Sequence, residues 1–409
     1  MPVICLLWGV QMAAESQLSL DMVTQRVCAL CEIPSVSGHE GEIGKRAAQI
    51  LRHSGLEVEE QEVAPQRHNI IARLKTGRVG PTLLFNGHLD TLPPPVVGWT
   101  REPYRPQVEN GRLYAAEINN MKGAVGAMMA TLVTLVKRQN ELSGEIILSA
   151  VVGECDSLGL GTVHALELGL TADCCINGEP TNLAVMTSHS GVTQLELVVR
   201  GRPAHVSQRA QGIDAIAKLV ALLPSITEQT LSFTRHPEFP GLPTVHVGTL
   251  HGGILPSMLA DEARAGIDVR TVPGMTAKTV LADLKQLIVR AKASDPDLDA
   301  TLTLSPRPKF MQPLPFHMNE QDPIVRTVAA AHHQITGSPP RVGTLIPQVF
   351  FGSDASHLLA AGIPTAIYGP GAVTDISTPD ESMALHEMLT AANVYLQSVL
   401  AICARQERP

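Results

Sequence analysis

Four short apolar runs constrain this chain most: NIIARLK (69–75), PTLLFNG (81–87), EIILSAVV (145–152) and DCCINGE (173–179). Strands buried on both faces read as near-continuous apolar runs, and they occur where helices cover the sheet on either side. Helical patterns accompany them in LSLDMVTQRVCALCEI, EGEIGKRAAQILRHSG and MKGAVGAMMATLVTLVKRQN, the first helix being expected to begin near Ser19 or Asp21. Short buried strands separated by helices predict an α/β fold with a mixed, mostly parallel sheet sandwiched by helices.

The texture changes after Gly191. TQLELVVRG reads as a strand, GIDAIAKLVALLPSI as a helix, TVHVGTLHGG and ARAGIDVRTVP as strands, and TAKTVLADLKQLIVRAKA as a helix. That β-α-β-β-α order predicts a smaller α+β domain with both helices on one face of its sheet. The Pro-rich stretch SPRPKFMQPLPF (305–316) marks a return, followed by a helix, the strand-like PTAIYG and a last helix. A length of 409 residues is too great for one core, so the expected organisation is a discontinuous catalytic domain, 1–190 and 306–409, with 191–305 inserted as a lid or dimerisation domain.

Composition removes several function classes. A net charge of −8 with no Lys/Arg cluster argues against nucleic acid as a partner. The apolar start MPVICLLWGV has no basic residue before it and is too short to span a bilayer, so it is expected to be a frayed extension, with no membrane partner. Seven cysteines, an odd and scattered set, suit free thiols in a reducing compartment, which predicts a cytoplasmic protein.

The chemistry concentrates at strand ends, where α/β proteins place ligands. PTLLFNG runs into His88-Leu89-Asp90, whose first and third side chains share one side of an extended backbone. A carboxylate so placed can hold one imidazole nitrogen while the other binds a metal, making His88 a candidate ligand and Asp90 its orienter. GECD (153–156), GEPT (178–181) and INNMKG (118–123) add Glu154, Asp156, Glu179 and Asn120. Each has a plainer reading: Glu179 as a turn residue before proline, Glu154 and Asp156 as helix caps, Asn120 as an N-cap. Together, four polar clusters converging on one sheet edge describe a metal-hydrolase pocket.

The series NGHLDTLPP, NGRLYAAEINNMKGAVGAM, VVGECDSLGLGT, INGEPTNLAV, GRPAHVSQRAQGIDAI, IDVRTVPG and YGPG with TPDE, from about residue 20 to 400, resembles a known family. It is the zinc metallopeptidase family of acetylornithine deacetylase, succinyl-diaminopimelate desuccinylase, carboxypeptidase G and the aminoacylases. The resemblance implies a two-domain hydrolase of N-acyl amino acids or small peptides, using divalent zinc, manganese or cobalt. It implies that His88 and Glu179 hold the first metal, Asp90 supports His88, and Asn120 stands at the metal-bridging position. It further implies that His205 meets the oxyanion in a neighbouring active site of a homodimer, and that Arg270 contacts a substrate carboxylate.

Three positions depart from the family pattern. Asn120 replaces an aspartate, Glu154-Cys155-Asp156 replaces adjacent glutamates, and Ser377 replaces a histidine. A neutral amide cannot bridge two cations and a hydroxyl is a poor ligand, so one metal per chain is expected, on His88, Glu179 and either Asn120 or Asp156. Counting back from Gly161 aligns Cys155 with the general base; counting forward from the strand end aligns Glu154. Glu154 is favoured, because a thiol beside a metal would itself coordinate it. His357 and Asp375 are the candidates to replace the missing histidine, and Asp354 is expected to orient a loop. The resulting expectation is a single-metal hydrolase of an amide or related C–N bond in a small carboxylate-bearing substrate. The alternatives are a hydrolase of a non-peptide C–N bond, such as an aryl amine or carbamoyl compound, and a degenerate member that only binds a small acid.

Overall fold

The computed structural model describes residues 18–306 and 311–405. The apolar start expected to be a frayed extension lies outside the described residues, as do 307–310 of the Pro-rich stretch. The chain forms two compact units: one comprises residues up to Thr187, Met318–Gln348 and those from Ser353 onward, the other Ser188–His317 with Val349–Gly352.

The first unit is built on a mixed sheet. From one edge its strands run Glu57–Ala64, Arg67–Lys75, Glu145–Val151, Thr82–His88, Cys174–Asn177, Thr365–Ile367 and Val185–His189. The four from Glu145–Val151 to Thr365–Ile367 are mutually parallel. The flanking strands pair antiparallel, NIIARLK among them, because it closes a hairpin with Glu57–Ala64. Glu57–Ala64 is the strand that apolar runs do not reveal: its sequence EVEEQEVA carries the charge that keeps an exposed sheet edge from pairing further.

Helices cover this sheet. Leu20–Cys31 starts where Ser19 Oγ accepts the Met22 N–H at 3.2 Å, and it buries Val23, Val27, Leu30 and Cys31 along one stripe. Helix Gly123–Lys137 is buried from Gly123 to Leu135, as its nearly unbroken apolar sequence requires, and packs against Leu20–Cys31 and Leu385–Cys403. Below the strand Thr82–His88, Phe85 is fully buried with its ring 5.4 Å from that of Tyr395. Burial of such a side chain contributes about 1.5–3 kcal/mol.

The register aligns the parallel strand ends, with His88 opposite Val151 and Asn86 opposite Asn177. The segments Leu89–Thr91, Val152–Asp156 and Gly178–Thr181 therefore leave the sheet along the same edge. The middle segment turns sharply through Leu158 (φ 54°) and Gly159 (φ 107°) before helix Leu160–Glu167. Gly161 seats that helix: its N–H donates to Val152 O at 2.9 Å, and a Cβ there would collide with the Val152 carbonyl.

The second unit has a four-stranded antiparallel sheet in the order Thr244–Gly252, Glu262–Thr271, Gly191–Arg200, Asp299–Leu304. Helices Ala215–Leu222 and Ala277–Ser294 cover one face, burying Leu195, Leu197, Leu219, Ile267, Val280 and Leu284 between helices and sheet. Asp214 caps the first helix, and a Thr276/Thr279 capping box starts the second. The fourth strand, Asp299–Leu304, completes a β-α-β-β-α-β order one element longer than the sequence pattern suggested. Among the described residues, no helix is long and apolar enough to cross a membrane.

Candidate metal centre

His88 is the last residue of its strand and is 1% exposed. Its Nδ1 donates to the backbone carbonyl of Asp90 at 2.7 Å, which makes Nε2 the nitrogen that can bind a cation once its own proton has left. That atom is buried without a hydrogen-bond partner, and it faces Glu154 Oε2 and Glu179 Oε1, each 3.7 Å away. Donors of one cation lie roughly 3–4 Å apart when each bond is about 2.0–2.2 Å. Glu179 Oε1 and Asn120 Oδ1 are likewise buried and unpartnered, and His88, Glu154 and Cys155 offer ligand atoms within 4.8 Å of one another, a donor chemistry that suits a divalent ion.

Asp90 works differently from expectation. Its carbonyl, rather than its carboxylate, orients His88; Oδ1 stays 3.9 Å from Nδ1. The carboxylate accepts the N–H of Glu154 at 3.0 Å, the N–H of Cys155 at 2.9 Å and the Ser37 hydroxyl at 2.8 Å. One residue therefore fixes both the imidazole tautomer and the loop that presents Glu154.

The electrostatics ask for a cation. Burial pulls His88 down, but Glu154, Glu179, Asp90 and Asp354 outweigh it and hold the imidazole at about 9. Burial pushes Glu154 well above the usual carboxylate range, with Glu179, Asp354 and Asp90 adding to the push and His88 opposing it. Glu179 is raised for the same leading reason, against the pull of His88. Asp354, 1% exposed at the start of helix Ala355–Ala360, is pushed up to about 7 by burial. Four buried acids thus act on one buried imidazole.

Other sequence candidates lie elsewhere. Asp156 is engaged by Arg67 at 3.4 Å and by the Ser157 hydroxyl at 2.8 Å, with its side chain 39% exposed, and it is not in the cluster of His88, Glu154 and Cys155. His357 contacts the Leu158 carbonyl at 2.7 Å through Nε2, a structural role beside Gly159. Asp375 accepts from the Thr374 hydroxyl at 3.1 Å. Ser377 lies in a left-handed turn at φ 54°, just ahead of Glu381, whose carboxylate accepts the N–H of Glu117 and of Asn119. His205 and Arg270 belong to the second unit. His205 is exposed, and its Nδ1 accepts the Ser207 N–H at 3.2 Å. Arg270 pairs with Asp268 at 2.7 Å and donates to Phe350 O at 3.1 Å.

Two residues to which the sequence reading gave other roles lie beside or act on His88. Asp354 was read as orienting a loop, yet its charge acts on His88. Cys155 was set aside as a base, yet its sulfur is in the cluster. The signal for Asp354 was its segment, which the resembled family also places near the pocket, and that is equally consistent with orienting a loop.

Comparison with known proteins agrees with this architecture. The profile of peptidase family M20/M25/M40 matches residues 84–401. The chain is 26% identical over 392 residues to acetylornithine deacetylase of Edwardsiella ictaluri, covering 92% of this chain and 97% of the relative. It is 23% identical over 386 residues to N-formyl-4-amino-5-aminomethyl-2-methylpyrimidine deformylase of Bacillus subtilis, covering 88% and 89%. In fold it is similar to an M20 family metallo-carboxypeptidase from Sulfolobus solfataricus, with a TM-score of 0.76 at 16% identity over 92% of this chain and 98% of that one. The family match over most of the chain, on a sheet edge carrying a buried histidine between two glutamates, makes this protein a member of peptidase family M20/M25/M40.

Proposed function

We propose that the protein hydrolyses an amide or related C–N bond in a small carboxylate-bearing substrate, an N-acyl amino acid or small peptide, with one divalent cation per chain. The observation that carries this reading is the unpartnered Nε2 of buried His88, midway between the carboxylates of Glu154 and Glu179. His88 and Glu179 are the proposed ligands, with Asn120 preferred to Asp156 as the next, because Asn120 Oδ1 is buried and unpartnered while Arg67 engages Asp156. A bound zinc, manganese or cobalt ion supplies Lewis acidity to the scissile carbonyl and to a water.

Glu154 accepts the proton of the attacking water and delivers it to the leaving nitrogen. Asp90 holds Glu154 in place through its backbone N–H. Arg270 binds the substrate carboxylate, and His205 meets the oxyanion across a homodimer. With Nδ1 of His205 accepting the Ser207 N–H, Nε2 carries the proton, which is the donor form an oxyanion needs. The homodimer forms through the inserted unit, where Ile216, Val220, Leu250, Ile254 and Leu255 are exposed on and beside an edge strand and a helix. A cytoplasmic location suits the six free cysteines among the described residues.

The test is amine release from a panel of N-acyl amino acids with added manganese, zinc or cobalt. Turnover that is lost in Glu154→Gln supports the reading. A second reading, a degenerate member that binds a small acid without turnover, is favoured by the capture of Asp156 by Arg67. It predicts no amine release from any substrate and no bound metal.

A further inference from the structure

Cys155 has no part in the reaction just described, yet its position is tightly set. The Asp90 carboxylate accepts its N–H at 2.9 Å, one residue after accepting that of Glu154. Its sulfur lies 3.6 Å from Asp90 O, 3.9 Å from His88 Nδ1 and 4.0 Å from Asn120 Nδ2. The thiol, the imidazole and the Glu154 carboxylate offer ligand atoms all within 4.8 Å of one another, the single such convergence of three His, Cys, Asp or Glu residues found among the described residues. A cysteine that serves only packing behaves as a small apolar group, and this one faces a carbonyl, an amide, an imidazole and a carboxylate.

We propose that Cys155 is a thiolate ligand of the cation held by His88 and Glu179, so that the centre selects zinc, cobalt or cadmium over manganese and magnesium. The inference rests on the single-cation reading above and adds the identity of a ligand to it. Cys155 here takes the third place given above to Asn120: three protein ligands, nitrogen, oxygen and sulfur, with a fourth position open to water, is the pattern of a catalytic zinc site, and it leaves Glu154 free as the base. The thiolate also supplies an anion where neutral Asn120 supplies none. A nitrogen bond of about 2.0–2.1 Å and a sulfur bond of about 2.3 Å put the two donors roughly 3.6 Å apart in a tetrahedron. The sulfur stands nearer Nδ1, the nitrogen tied to Asp90, so joining a cation on Nε2 requires Cys155 to change χ1 rotamer, which sweeps its sulfur through roughly 3 Å. On binding, the S–H bond breaks, a sulfur–metal bond forms and the proton leaves to solvent; no electron is transferred.

Cobalt absorption tests this directly on the full-length protein. Metal-free protein loaded with one equivalent of Co²⁺ is expected to show an intense near-ultraviolet sulfur-to-cobalt charge-transfer band. That band should vanish in Cys155→Ser and persist in Cys28→Ser. In competition titrations, Cys155→Ser should lose more of its zinc-over-manganese preference than the roughly 10–100-fold typical of losing an outer partner of a ligand. Iodoacetamide labelling of Cys155 in the wild-type chain should be blocked by stoichiometric zinc, which keeps the test independent of how well the variant folds. Cobalt bound at one equivalent without the charge-transfer band overturns the thiolate ligand and leaves the hydrolase reading standing. No binding of cobalt, zinc or manganese removes the metal centre itself, and the inference with it.

Discussion

Replacing Arg67 with Met should separate the stability of the loop around the centre from its chemistry. The side chain of Glu40 is 0% exposed, and Arg67 is 12% exposed. Arg67 Nε donates to the two Glu40 oxygens at 2.9 and 3.1 Å, and Nη2 adds a bond at 2.5 Å. Even with the guanidinium present, burial leaves Glu40 above the usual carboxylate range. Removing one partner of a buried pair costs about 3–5 kcal/mol, because the remaining charge is uncompensated. The lower part of that range is expected here, since Glu40 keeps the Gly38 N–H at 3.1 Å and escapes further cost by taking a proton. That escape sets the sign of the pH dependence. In the variant the folded Glu40 holds its proton to a higher pH than the unfolded chain does, whose glutamates titrate near about 4.3. Stability therefore falls as pH rises above the unfolded value and levels off once the raised folded value is passed. Urea unfolding of the full chain should show a larger loss at pH 8 than at pH 5, and Glu40→Gln with Arg67→Met should cost less than Arg67→Met alone. A loss below about 1 kcal/mol at both pH values, typical of an exposed ion pair, refutes the argument.

Glu154→Gln should lower kcat by about 10²–10⁴-fold while elemental analysis finds its metal content unchanged; near-normal turnover would remove Glu154 as the base. Protein purified without chelator should contain one equivalent of divalent metal, and two equivalents by mass spectrometry contradict the single-cation site. Metal affinity should rise with pH, because His88 in the metal-free chain holds a proton up to about 9. The His88 proton alone makes the rise about tenfold per unit below that value, a proton lost by Cys155 adds to it, and calorimetric titrations at pH 6 and 8 that agree with each other refute it. In the same metal-free chain, protonated His88 adds stability that is complete below about 6.5 and is lost as pH rises through about 9. Gly161→Ala should destabilise by about 1–3 kcal/mol in thermal unfolding, since the added methyl meets the Val152 carbonyl; an unchanged melting temperature would show that the loop yields freely.

The fold was legible where burial dictates composition. The runs ending at His88, Val152 and Glu179 correspond to the parallel strands Thr82–His88, Glu145–Val151 and Cys174–Asn177, because a strand covered on both faces has no room for polar side chains. Glu57–Ala64 and Asp299–Leu304 were not seen, since an edge strand is half solvated and its sequence carries charge and threonine instead. At the candidate site, the sequence put His88, Glu154 and Glu179 at strand ends but did not give the directions of their side chains. His-x-Asp suggested a carboxylate tying one histidine nitrogen, and a backbone carbonyl of the same aspartate does so instead. Whether carbonyl or carboxylate does the tying depends on how the chain bends after the strand, which the tripeptide does not encode. The Glu154-Cys155-Asp156 ambiguity has the same origin. Counting assumes a uniform path, whereas the Asp90 carboxylate gathers two consecutive N–H groups and the left-handed Leu158 and Gly159 then reverse the chain.

Charge can connect the three positions read from the sequence as departing from the family pattern, Asn120, Glu154-Cys155-Asp156 and Ser377. A centre that keeps one cation but retains every carboxylate of a two-cation site would bury anions with nothing to neutralise them, at several kcal/mol each. On the single-cation reading, Asn120 removes one such anion at the bridge. Asp156 removes a second by turning to Arg67, which also neutralises Glu40. Ser377 gives up a ligand that no longer has a cation to hold. What remains around His88 is Glu154, Glu179, Asp90 and Asp354, joined by the Cys155 thiolate when the proposed cation is bound, and the Asp90 carboxylate is already met by two backbone N–H groups and a hydroxyl. Restoring Asp at position 120 alone should therefore not restore a second cation. It adds an anion without freeing Asp156 from Arg67, and metal content should stay at one equivalent until Arg67 and Ser377 are changed with it.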